Sequence, residues 1–155
     1  MEKWYQYLAD PIAGHRTVEA IRPVLSNWAN RKSGALTFRL VQVLTGHGCV
    51  GRYLHDIVRQ IPTPSCLECG ADDDTAQHTL EDCPQWSQLR HNLCFVVGNN
   101  LALPCVVEKM VGSDEVWNAV VSFCEHVMLQ KETAEREREN KGVNRRRYAH
   151  LLPPM

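Results

Sequence analysis

Four residues near the middle of the chain have the types and spacing to hold a metal ion. They read Cys66-x2-Cys69-x8-His78-x4-Cys83. Zinc takes four tetrahedral ligands, commonly thiolate and imidazole, at ~2.0–2.3 Å. A Cys-x-x-Cys bend lets two thiolates reach one ion from a tight turn, and Gly70 directly after it helps the chain leave that turn. The x4 interval between His78 and Cys83 puts the second pair about one helical turn apart. Four such ligands fill the coordination shell and leave no position for a reactive water, which predicts a structural ion, Zn2+, rather than a catalytic one. The alternative for these residues is a set of unmetallated core thiols. A lone Cys-x-x-Cys would also suit redox chemistry, but no β-α-β pattern surrounds this one.

The remaining cysteines, Cys49, Cys94, Cys105 and Cys124, lie among apolar residues and read as small core hydrophobes. His47, Cys49 and His55 are close enough in sequence to suggest a second metal site, against the plainer reading of a hydrogen-bonded histidine closing a turn. Asp72, Asp73 and Asp74 read as a solvated polar loop. No nucleophile elbow, P-loop, His-Glu-x-x-His or paired catalytic carboxylates occur, so neither an enzyme active site nor a small-molecule substrate is expected for this chain.

The elements that must position the four candidates read as helices. The 155 residues are about one domain's worth, and 44% of them are hydrophobic, enough for a real core. Val18, Ile21, Leu25 and Trp28 form a helical stripe that Pro23 should kink. Leu36, Leu40, Val43 and Leu44 form another, up to Gly46, a suitable C-terminal cap. Residues 49–61 read as a short helix closed by Pro62 and Pro64. Pro84 opens a helix carrying Trp86, Leu89 and Leu93. A long C-terminal helix, capped by Ser113 or Asp114, carries Trp117, Val120, Cys124 and Val127 on one face. Its continuation, 131–140, alternates Glu with Arg or Lys and reads as a solvated extension held by i,i+3 and i,i+4 pairs, or as a coiled-coil face. The expectation is a mainly α fold: a small helical domain over 1–140 with the zinc knuckle, 66–83, inserted between helices, and a basic, proline-containing flexible tail over 141–155.

Charge is unevenly laid out. Residues 1–65 carry a net +4, 66–83 a net −6, 84–140 a net −3, and the last fifteen residues +4 from Lys141, Arg145, Arg146 and Arg147. Basic flanks suit contact with RNA or DNA, although ordinary solvated surfaces have the same look. No run of ~20 apolar residues suits a bilayer span, and the N-terminus lacks the apolar core of a secretory signal. An intracellular location, cytoplasmic or nuclear, is therefore expected, with reduced or metal-bound cysteines.

Three strings carry a family resemblance. Residues 36–55, LTFRLVQVLTGHGCVGRYLH, resemble the segment that follows the reverse transcriptase in arthropod non-LTR retrotransposons. Residues 74–86, DTAQHTLEDCPQW, and 117–137, WNAVVSFCEHVMLQKETAERE, resemble parts of the same region. The resemblance runs from about Arg22 to the Arg-rich tail. It implies the C-terminal portion of a Pol-type polyprotein, with endonuclease and reverse transcriptase upstream and a Cys-Cys-His-Cys zinc knuckle whose ligands match Cys66, Cys69, His78 and Cys83. The polymerase's Tyr/Phe-x-Asp-Asp signature has no counterpart, so the chain reads as a fragment or remnant without the catalytic parts.

Two roles follow as expectations. In one, the knuckle is a nucleic-acid-binding module assisting template or target binding, with Arg145, Arg146 and Arg147 on phosphates and Trp86 stacked on a base, unless Trp86 is core to its helix. In the other, zinc clamps the helices and the domain contacts the parent polymerase or a second copy of itself.

Overall fold

A computed structural model describes residues 1–141 of the chain. These residues are mainly helical, with no strand among them. The helices are α1 (Glu2–Tyr7), α2 (His15–Ile21), α3 (Leu25–Asn30), α4 (Phe38–Thr45), α5 (Gly51–Asp56), α6 (Ser87–Val97), α7 (Leu103–Gly112) and α8 (Asp114–Asn140). Pro23 has the effect its ring dictates: α2 and α3 are separated by a 3-10 turn over Arg22–Val24. In α4, the Leu40 amide donates to Thr37 Oγ1 at 3.2 Å, an N-terminal cap, and Gly46 ends the helix in the left-handed conformation at φ 79°. Leu36 precedes this helix and is exposed, outside the stripe expected for it.

The long helix α8 is the spine. It packs against α4, α6 and α7, while α2 packs against α4 and α7. Ser113 caps it through the Val116 amide. The buried face of α8 runs through Trp117, Val120, Cys124, Val127 and Met128. Arg39 of α4 bridges to Glu125 at 3.0 Å and Glu132 at 2.8 Å on α8.

Two sequence expectations fail on α8 and its neighbour. The 131–140 stretch is not wholly solvated, because Lys131 is 2% exposed and Glu135 5% exposed. Asp74 is likewise no solvated loop residue, at 3% exposed. The cause is mutual: a buried ammonium survives only beside carboxylates, and Lys131 Nζ lies 3.0 Å from Asp74 Oδ2. Helix α7 is an addition to the expected elements, and its signals are Pro104 in its first turn and Val106, Val107 and Met110 on its buried face.

Candidate metal centre

The four candidate ligands sit on a loop and a turn that the helices pin from three sides. The chain reaches Cys66 across the start of α5, where a Cβ on Gly51 would meet the Pro64 and Ser65 carbonyl oxygens at 2.7 Å each. Glycine is needed there because two backbones touch. The Cys66 amide donates to the Ala71 carbonyl at 2.8 Å, and the Gly70 amide to the Cys66 carbonyl at 2.8 Å. These bonds close the loop into a tight turn, with Gly70 at φ 80°. Further along, the Asp74 amide donates to the Pro64 carbonyl and the Arg52 amide to the Asp74 carbonyl.

His78 and Cys83 come from a π-helical turn over His78–Asp82. The Cys83 amide donates to the His78 carbonyl at 2.8 Å, an i→i+5 bond. This refines the expectation of one helical turn. On an ordinary α-helix, residues five apart point ~140° away from each other. The wider π turn brings the two donors onto one side.

Arg90 of α6 holds the turn from behind, with Nη2 donating to the Thr79 carbonyl at 2.9 Å and Nε to the Leu80 carbonyl at 3.0 Å. Gln77, just before the turn, is held by Arg16 of α2 at 2.8 Å.

The result is a convergent donor set. The Sγ atoms of Cys66, Cys69 and Cys83 and a ring nitrogen of His78 all lie within 4.8 Å of one another. Cys66 Sγ is 3.8 Å from Cys83 Sγ, and Cys69 Sγ is 3.3 Å from His78 Nε2. For a tetrahedral ion with ~2.3 Å metal–sulfur bonds, the sulfur–sulfur edge is ~3.8 Å. The geometry therefore fits a closed tetrahedral shell of three thiolate sulfurs and one imidazole nitrogen.

Cys66 and Cys83 form its buried inner pair, and Cys69 and His78 lie on the outer side. Burial pushes both the Cys66 and Cys83 thiols up. Main-chain amides work against that: those of Cys69 and Glu68 donate to Cys66 Sγ, and that of Gln85 to Cys83 Sγ. Such amides favour the thiolate that a metal requires.

The other sequence candidates fall elsewhere. His47, Cys49 and His55 do not converge as donors among the described residues. His47 stacks on Tyr53 with ring centroids 4.7 Å apart, and His55 Nδ1 lies 2.6 Å from Asp56 Oδ1. Cys124 is fully buried core. Trp86 is 4% exposed and belongs to the core under α6, so its ring offers no face to a base. Arg145, Arg146 and Arg147 lie outside the described residues.

Sequence reasoning missed Arg90, Gly51 and Lys131, whose roles depend on contacts between distant segments. No helix among the described residues is long and apolar enough to cross a membrane.

The chain is 32% identical over 82 residues, 53% of its length, to the retrovirus-related Pol polyprotein from type-1 retrotransposable element R1 4 of Nasonia vitripennis. The match spans 20% of that relative's length. No family model matches the chain, and no solved structure matches it. The similarity supports a retrotransposon-related origin.

Proposed function

We propose that the chain is a zinc-clamped helical module of a retrotransposon Pol-type protein, and that it binds nucleic acid through its basic flanks. The observation that carries the reading is the convergence of Cys66, Cys69, His78 and Cys83 within 4.8 Å. Zinc suits this donor set better than a harder cation, because three of the four donors are sulfur. With every position filled by protein, the ion has no catalytic role. It ties the segment between α5 and α6 to the helices on either side.

The nucleic-acid part rests on the similarity to a Pol polyprotein and on the charge layout. The 66–83 segment, at net −6, repels phosphate, so the contact belongs to the basic N-terminal half and to Arg145, Arg146 and Arg147. The buried ring of Trp86 and the acidic segment favour a second reading, in which the module is purely a clamp that docks on a polymerase or on another copy of itself.

Metal analysis tests the clamp. The purified chain carries about one zinc, and Cys69→Ser loses it; a variant with full zinc content overturns the site. Filter binding with single-stranded RNA over a salt series separates the two readings. Affinity that falls with salt, with a slope about 2 smaller when the three arginines are replaced by alanine, supports phosphate contact. No binding at low salt leaves the clamp alone.

A further inference from the structure

The clamp has a partner outside its four ligands. Lys131, on α8, is 2% exposed, and its Nζ lies 3.1 Å from Glu68 Oε2 and 3.0 Å from Asp74 Oδ2. Asp74 Oδ2 also accepts the Gly51 amide at 2.8 Å. Glu68 falls between the ligands Cys66 and Cys69 in sequence. The same Oε2 that Lys131 holds lies 3.3 Å from Cys66 Sγ. Cys66, Glu68 and Asp74 also place one donor atom each within 4.8 Å of one another, a rival set made of one sulfur and two oxygens.

Metal binding changes this corner's charge. As a thiol, Cys66 donates its proton to Glu68. As metal ligands the three cysteines are thiolates, their protons released to solvent. Their three negative charges outweigh the two positive charges of a zinc ion, so the filled shell is net −1 and faces the Glu68 carboxylate across the 3.3 Å between Cys66 Sγ and Oε2. A neighbouring ammonium offsets that repulsion. Lys131 is the ammonium in reach, and by gripping both carboxylates it also keeps them out of the metal's shell.

We propose that Lys131 is a positioning residue of the metal centre, neutralising and retaining Glu68 so that metal loading and the seating of α8 on the ligand loop are coupled. This rests on the reading of Cys66, Cys69, His78 and Cys83 as a zinc site. Residues that orient or neutralise a metal's ligands from outside typically govern 10–100-fold in affinity.

The test is zinc affinity, measured on the full chain by competition with a chromophoric chelator. Lys131→Met combined with Asp74→Asn removes the buried ion pair without leaving a lone aspartate charge, and leaves Glu68 uncompensated beside Cys66. That variant binds zinc at least about tenfold more weakly than wild type. Adding Glu68→Gln removes the repulsion and restores affinity to within about threefold. Arg39→Gln, which unties α4 from α8 at Glu125 and Glu132, lowers stability without moving zinc affinity.

The proposal is overturned by an unchanged affinity in the two-residue variant, or by equal weakness in the two- and three-residue variants, which assigns Lys131 to the fold alone. It is also overturned by an Arg39→Gln loss as large as the Lys131 variant's. If the two-residue variant folds only after Glu68→Gln is added, the proposal stands; if neither folds with zinc, it falls. A wild type without zinc removes the metal reading itself, whereas normal wild-type loading with an unmoved variant removes only the role of Lys131.

Discussion

The guanidinium of Arg90 donates to the Leu80 carbonyl at 3.0 Å, and through its other nitrogen to the Thr79 carbonyl at 2.9 Å. The π turn makes these bonds necessary. Its next i→i+5 bond would run to the Thr79 carbonyl from Pro84, which has no N–H. Arg90 supplies the missing donor from α6 and fixes the turn that presents His78 and Cys83.

Arg90→Ala therefore leaves two partly buried carbonyls unpaired, at a cost of about 2 kcal/mol. For a chain of this length that corresponds to a fall in Tm of roughly 4–8 °C. Hydrogen exchange is expected to quicken first at the Cys83 amide, whose partner is the His78 carbonyl. A variant with wild-type Tm and wild-type exchange at Cys83 would show that the turn stands without Arg90.

A second prediction concerns the aromatic corner where α3 meets α8. Trp28 and Trp117 lie with ring centroids 5.3 Å apart, and Arg31 sits over both rings at 4.6 and 4.9 Å. Trp117 Nε1 donates to the Ala35 carbonyl at 3.0 Å. Gly34 passes this cluster at φ 92°, where a Cβ would approach the Trp117 ring to 2.7 Å. Gly34→Ala combines a left-handed backbone with overpacking, and about 2–4 kcal/mol of stability is lost. Urea denaturation checks it; a loss under about 1 kcal/mol would mean that the corner yields.

The sequence was most legible where local rules and tertiary packing agree. Leu40, Val43 and Leu44 repeat at helical spacing and Gly46 ends them, so most of α4 follows from its own residues; Leu36 falls outside because the Thr37 cap starts the helix after it. Ser113 and the apolar face of α8 were readable for the same reason. The four metal-ligand candidates were readable because their types are rare and their spacing short. Lys131 and Asp74 were not, because each looks solvated until the other, 57 residues away, is brought to it. Helix α7 is ten residues long, too short to stand alone in water, and it exists by packing on α2 and α8. The π turn escaped because its ordinary sequence, HTLED, is shaped by Pro84 and by Arg90 rather than by its own preferences.

Alkaline pH offers a third check. Cys124 is fully buried on α8, and burial, with Glu125's charge adding to it, pushes its thiol up to about 12 from 9.0. The folded pKa exceeds the unfolded one, so this stabilisation is complete below pH 9 and is lost as pH rises from 9 toward 12. Each pH unit in that window costs about 1 kcal/mol. Cys124→Ala loses core packing at neutral pH, yet it declines less than wild type between pH 7.5 and 10, by about 1 kcal/mol. Denaturant titrations at both values decide the point; equal declines would place the titrating groups elsewhere.

The last prediction turns on a sign. Gly51 opens α5, and by helix propensity alone Gly51→Ala stabilises, by up to about 1 kcal/mol. The tertiary structure demands the opposite. A methyl group there meets the Pro64 and Ser65 carbonyl oxygens at 2.7 Å and Asp74 Cβ at 3.0 Å. None of these is the free end of a flexible chain: two are backbone leading into Cys66, and the third belongs to the carboxylate that holds Lys131. The substitution must push the 64–66 backbone away from α5 and Cys66 away from Cys83, from which it is now 3.8 Å. Stability then falls by about 1–3 kcal/mol, the usual cost of overpacking, and zinc affinity falls with it because the donor edge widens. Measured together, the two quantities separate the cases. A stabilised variant with intact zinc binding would mean that propensity governs this position and that the ligand loop is not seated on α5; a coupled loss of both would show that the start of α5 is the template on which the metal site is built.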